Sequence, residues 1–258
     1  MNIDKLHAKT VFDDYVNNYD LNDEMIKLKA EHTYRVADLC ENIASRIGLK
    51  QKDRDIAWLL GLLHDIGRFE QVKRYGTFND SKSIDHAELG VKILFEDNMI
   101  RDFISDNNED ELIEKAIACH NAYEVPENYS KRILSFSNIL RDADKIDIFK
   151  VNTIIPPEYI YGVSSDELYT SSITKEVFEN FMRKETILRK LKRSAVDHIV
   201  GHISLVFGLV YKESVETAQQ MGCLEKLMEF KSQNDTTNEQ FKEIQNLVHE
   251  YISEKINN

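Results

Sequence analysis

Apolar residues return every three to four positions along most of this chain, and that period constrains its fold more than any other feature. Leu28, Val36, Leu39 and Ile43 mark one stripe over 23–47, and Ile56, Leu59, Leu60 and Leu63 mark another over 52–63. A third helix is predicted from near Ser83 with Leu89, Ile93 and Leu94, and a fourth from near Asp110 with Ile113, Ala116 and Ile117. A fifth begins near Ser130 and carries Ile133, Phe136, Leu140 and Ile148. Nine glycines and three prolines in 258 residues leave too little punctuation for a strand-and-turn architecture. The chain reads as all-α, with a core of about five helices followed by a C-terminal helical extension.

Two of the prolines, Pro156 and Pro157, open a stretch with Gly162, Ser164 and Ser165. That places a boundary between a first domain, 1–155, and an extension, 156–258, expected to pack on it. Beyond it Ile187, Leu188, Leu191, Ala195, Ile199, Leu205 and Leu209 predict a long helix, and Phe241, Ile244, Leu247, Val248 and Ile252 a last one. The longest apolar runs, 57–63 and 203–211, fall far short of a bilayer span, and no basic region at the N-terminus leads into an apolar stretch. Cys40, Cys119 and Cys223 form neither a CxxC pair nor a disulfide framework, so a reducing cytoplasm is the expected location.

The chemistry is carried by polar residues that break the apolar faces. His32 lies four after Leu28 and four before Val36, and His64 lies four after Leu60. His120 lies three after Ile117, and Asp144 lies four after Leu140 and four before Ile148. Asp65 follows His64 directly, and His86 precedes Leu89 by three. Each is expected to point inward on its helix. One inward histidine is ordinarily a core residue bonded to a carbonyl. Four histidines and two aspartates together need a common partner, and a metal centre supplies it. Imidazole and carboxylate without thiolate suit iron, manganese or zinc and leave positions for water and substrate.

The order His32, His64-Asp65, His86, His120, Asp144 resembles the HD superfamily of metal-dependent enzymes, named for the adjacent His-Asp pair. The resemblance runs over roughly residues 25–150 and includes Gly61-Leu62-Leu63-His64-Asp65-Ile66-Gly67 and Asp142-Ala143-Asp144-Lys145. It implies an HD-type helical core and a metal-dependent phosphohydrolase or phosphodiesterase. A mononuclear version of the pattern needs only His32, His64, Asp65 and Asp144, whereas His86 and His120 match a dinuclear subgroup. In that subgroup Asp65 would bridge two divalent ions, with His32, His64 and Asp144 on one and His86 and His120 on the other. A hydroxide between the ions would attack phosphorus. Two other functions fit the same ligand order: a mixed-valence di-iron oxygenase acting on C–H bonds, and a non-catalytic nucleotide-binding sensor. No Gly-Tyr-Pro run is present, unlike the HD-GYP phosphodiesterases, and the stretch after Pro157 departs from the smaller symmetrical dinucleoside tetraphosphate hydrolases.

Charge narrows the substrate. Lys and Arg number 33 against 45 Asp and Glu, a net charge of −12 that argues against generic nucleic-acid binding. Locally the balance reverses: between residues 68 and 84, Arg68, Lys73, Arg74 and Lys82 face only Glu70 and Asp80. Arg68 and Lys145 are expected to hold phosphate oxygens, and the substrate is expected to be a small phosphorylated molecule, foremost a nucleotide. His198 and His202, four apart, have chelating spacing but no evident third ligand and read as core or pocket-lining residues. The basic run Arg183, Lys184, Arg189, Lys190, Lys192 and Arg193 reads as a solvated face or as the rim of the active site.

Overall fold

The computed structural model describes residues 3–257, which form helices and turns and, among the described residues, no strand. The all-α expectation holds. The chain divides into two compact units, Met1–Asp144 and Lys145–Asn258.

The first unit contains α1 (Lys5–Val16), α2 (Glu24–Arg46), α3 (Gln51–Leu63), α4 (Ile66–Tyr75), α5 (His86–Val91), α6 (Ile100–Phe103), α7 (Asp110–Ala118) and the first part of α8 (Lys131–Ile154). The side chain of Asp23 starts α2 by accepting from the Met25 amide, one of the N–H groups a helix start leaves unpaired. Every residue of α3 from Ile56 to Leu63 is buried, so this helix is enclosed on all sides and forms the middle of the unit. It meets α2 at Gly61, where a Cβ would fall 2.5 Å from Ala37 Cα; only glycine permits that approach. Helix α1 braces α4: Phe12 packs edge-on against Phe69 at 5.8 Å, and the Tyr15 hydroxyl donates to the Ile66 carbonyl at 3.2 Å. Burying a phenylalanine such as Phe12 contributes roughly 1.5–3 kcal/mol.

The second unit continues α8 and adds α9 (Pro157–Tyr161), α10 (Ser165–Thr170), α11 (Lys175–Met182), α12 (Val196–Ile203), α13 (Lys212–Met221), α14 (Cys223–Met228) and α15 (Asp235–Asn257). The long helix expected through Leu209 does not form. In its place are a 3₁₀ turn at Arg189–Leu191, the eight-residue α12 and a 3₁₀ segment at Ser204–Gly208. The buried carboxylate of Asp197 explains the break, because it accepts from the backbone amides of Arg193 and Ser194, each at 2.9 Å, and holds them outside a helix. The apolar period survives as burial alone: Ile187, Ala195, Ile199 and Leu209 are all buried.

Candidate metal centre

The first unit places His64 and His120 at helix ends rather than on helix faces. His64 caps the C-terminus of α3, and His120 lies in the turn just past α7. At each end the imidazole reaches the carbonyl three residues back, in the last turn, where helix carbonyls lack their usual i+4 donors. His64 Nδ1 lies 2.7 Å from the Gly61 carbonyl, and His120 Nδ1 lies 2.7 Å from that of Ile117. Because a carbonyl only accepts, Nδ1 carries the hydrogen in both rings, and Nε2 presents a lone pair. His86 opens α5 with Nδ1 2.8 Å from Asp80 Oδ2, so the same tautomer follows there.

These lone pairs converge on Asp65, which begins α4. Its Oδ2 lies 3.5 Å from His32 Nε2 and 3.3 Å from His64 Nε2, and Asp144 Oδ1 lies 3.2 Å and 3.8 Å from the same two nitrogens. Its other oxygen, Oδ1, lies 3.3 Å from His86 Nε2 and 3.7 Å from His120 Nε2. Five of the six residues singled out by spacing fall into two groups, His32, His64 and Asp144 in one and His64, Asp65 and His120 in the other, each within 4.8 Å, and the sixth, His86, joins them through Asp65 Oδ1. A third group of that size, Asp80, Asp85 and His86, has a simpler explanation. Asp85 caps α5 by accepting from the Ala87 and Glu88 amides, and Asp80 orients His86. Gly67 makes the convergence possible: a Cβ there would fall 2.3 Å from the His86 carbonyl oxygen, so α4 and α5 touch backbone to backbone.

The donor set fits divalent cations. His64 Nε2 is buried and makes no hydrogen bond, and the Nε2 atoms of His86 and His120 face one another 3.0 Å apart, each with its hydrogen on the far nitrogen. Converging lone pairs and carboxylate oxygens repel unless a cation lies among them. Burial pushes His64 below its ordinary value and His86 down to about 4, so both rings stay in the neutral form that ligates metal. Burial by itself would raise Asp65, but Lys29 and the surrounding histidines hold its carboxyl well below the usual carboxylate range. Asp144 is lowered in the same way, against burial, by His32 and His64.

Three residues outside the spacing pattern complete the centre. Lys29, on α2 three before His32, sets its ammonium 2.5 Å from Asp65 Oδ2. Arg141, buried on α8, donates to the carbonyls of Cys119 at 2.8 Å and Tyr123 at 3.0 Å and so fixes the turn that carries His120. Asp80 accepts from Arg68 Nη1 at 2.7 Å and from Gln71 Nε2 at 2.8 Å while it orients His86. Arg68, expected to hold phosphate, spends Nη1 on Asp80, Gln71 and the Phe78 carbonyl, and its Nε is 3.6 Å from Asp65 Oδ1. Lys145, the other cation expected in that role, donates to the Gly208 carbonyl at 2.9 Å within the second unit.

An all-helical unit whose helix ends and faces deliver imidazoles to both oxygens of one buried aspartate belongs to the class of metal-binding helical domains. The family model of the HD domain matches residues 30–148, so this part of the chain is an HD domain. No curated protein and no solved structure matches the chain. HD domains bind divalent metals, and the chain supplies His/Asp clusters able to hold them.

Proposed function

We propose that the HD domain is a metal-dependent phosphohydrolase that cleaves a phosphate ester or anhydride of a small molecule, foremost a nucleotide. The observation that carries this reading is the division of labour at Asp65, whose Oδ2 faces His32 and His64 while Oδ1 faces His86 and His120. A carboxylate with a separate donor set on each oxygen suits two divalent ions, iron, manganese or zinc. His32, His64 and Asp144 would hold one, His86 and His120 the other, and Asp65 both. Bound there, such ions supply Lewis acidity toward phosphoryl oxygens and lower the pKa of water.

The protein's own groups do the rest. The depressed pKa values of His64 and His86 keep the ligating nitrogens unprotonated at neutral pH. Lys29 is the cation beside Asp65 that we assign to the substrate's phosphoryl oxygens, because among the described residues its ammonium hydrogen-bonds only the carboxylate that a metal would claim and otherwise lies over the Phe78 ring. Arg68 is assigned to positioning: through Asp80, Gln71 and the Phe78 carbonyl it ties the 76–84 loop to the His86 side of the centre.

The test combines metal analysis with hydrolysis of nucleotides, cyclic dinucleotides and dinucleoside polyphosphates by protein loaded with iron or manganese. At least one substrate is expected to be cleaved; inactivity across the panel with metal verified would overturn the reading. Asp65→Ala is expected to lose both metal and activity, and an active Asp65→Ala variant would remove the role given to that residue. Lys29→Met is expected to lower kcat/KM about 10–100-fold with metal content unchanged.

A further inference from the structure

The second unit gathers side chains that the metal centre does not use. Arg189 opens a 3₁₀ turn, Lys192 follows it, and His198 and His202 lie on α12. Lys192 folds back over that helix: a Cβ on Gly201 would fall 2.2 Å from its Cε and 2.4 Å from its Nζ. The ammonium thus fills the space that a side chain at 201 would take. Tyr161 stacks on His198 with ring centroids 5.1 Å apart and 17° between the planes. Its hydroxyl donates to Asn152 Oδ1 at 2.6 Å, and His202 Nδ1 lies 2.8 Å from the same oxygen, so Tyr161, Asn152 and His202 satisfy one another.

Arg189, Lys192 and His198 have no such partners. Among the described residues, none of their side chains makes a hydrogen bond or an ion pair, although Lys192 and Arg189 both act electrostatically on His198. Asp197, the acid whose charge reaches Lys192, is spent elsewhere: it accepts from the Thr174, Arg193 and Ser194 amides at 2.8, 2.9 and 2.9 Å. Burial and the neighbouring Arg189 push Lys192 down to about 8, against the pull of Asp197. An ammonium largely withdrawn from water beside a guanidinium, with no carboxylate bonded to it, gains most from an anion. Arg189 is exposed while Lys192 and His198 are only partly so, which leaves a way in from solvent. A guanidinium fork, an ammonium and an imidazole N–H together suit a tetrahedral oxyanion, whose several oxygens can accept from all three.

We infer that the unit Lys145–Asn258 carries an anion site of its own, in which Arg189, Lys192 and His198 hold a phosphoryl group, free or borne by a nucleotide. It does not depend on the hydrolase reading. Titration calorimetry on the full chain with inorganic phosphate, pyrophosphate and adenosine and guanosine 5′-monophosphates tests it. Binding of at least one probe is expected, weakened at least about tenfold in Arg189→Gln/Lys192→Met with melting temperature and metal content unchanged. Equal affinity for phosphate and the monophosphates points to the free anion, and tighter monophosphate binding points to a nucleotide. Gly201→Ala is expected to weaken binding as well, by displacing the ammonium without removing a charge. Asp65→Ala is expected to leave the affinity unchanged. The inference is overturned if no probe binds, if the double variant binds like the wild type, or if Asp65→Ala alone abolishes binding.

Discussion

Asp80 shows how much of the centre depends on residues that would never touch a metal. One of its oxygens orients His86 and the other holds Arg68 and Gln71, so it joins a candidate ligand to the neighbouring loop. Asp80→Asn is expected to weaken binding of the ion at His86 and His120 by about 10–100-fold while the ion at His32, His64 and Asp144 is retained. Competition with a chelator measures the two affinities separately, and equal loss at both would contradict the assignment. On the proposed two-ion reading, His120→Ala is expected to lower bound metal from two ions per chain to one by elemental analysis. The six candidate ligands were legible because each interrupts or adjoins an apolar stripe at helical spacing. Lys29, Asp80 and Arg141 were not, since a charged residue in an amphipathic helix or a basic loop looks like solvated surface. Lys29 did leave one signal, its position three before His32 on the same helix face.

At the scale of elements, periodicity locates faces better than ends. The helices expected near 23–47, 52–63, 110 and 130 form close to those positions, as Glu24–Arg46, Gln51–Leu63, Asp110–Ala118 and Lys131–Ile154. His64 and His120 nonetheless lie beyond the last turn of their helices, where each ring bonds the carbonyl three residues back. A stripe ending in histidine reads the same whether or not the helix reaches it. The α4–α5 junction gives the element-scale prediction. Gly67→Ala would bring a Cβ to 2.3 Å from the His86 carbonyl and 2.6 Å from the Gly90 amide nitrogen, both backbone atoms with little room to yield. Calorimetry is expected to show a loss of about 1–3 kcal/mol, and metal analysis a loss from the His86 side of the centre. Wild-type stability and metal content in that variant would mean the junction is looser than its geometry indicates.

Over the whole molecule, buried imidazoles set how stability depends on pH. Burial holds His86 down to about 4 and His202 well below its ordinary 6.5, so the folded chain refuses protons that the unfolded chain accepts. With metal removed, stability is expected to be fully present above about pH 6.5 and to fall as pH drops from there toward 4, by up to about 1.4 kcal/mol per pH unit for each such histidine. Melting temperature measured from pH 7 to 4 checks the sign, and His202→Asn, which keeps a donor at the Nδ1 position, is expected to flatten the slope; a melting temperature that rises on acidification would refute it. The net charge of −12 describes the molecule only as an average, since Lys29 and Arg68 stand beside Asp65 and Lys192 and Arg189 beside His198. Sequence alone determined the helical class and singled out the six candidate ligands, because burial at a 3.6-residue period and the cost of stranding polar groups in a core are local rules that any chain must obey. Only the tertiary structure decided which oxygen of Asp65 faces which histidines, that Asp197 breaks the long C-terminal helix, and that Lys192 turns inward, because those outcomes depend on backbone contacts between residues far apart in the chain, which spacing along one helix does not encode.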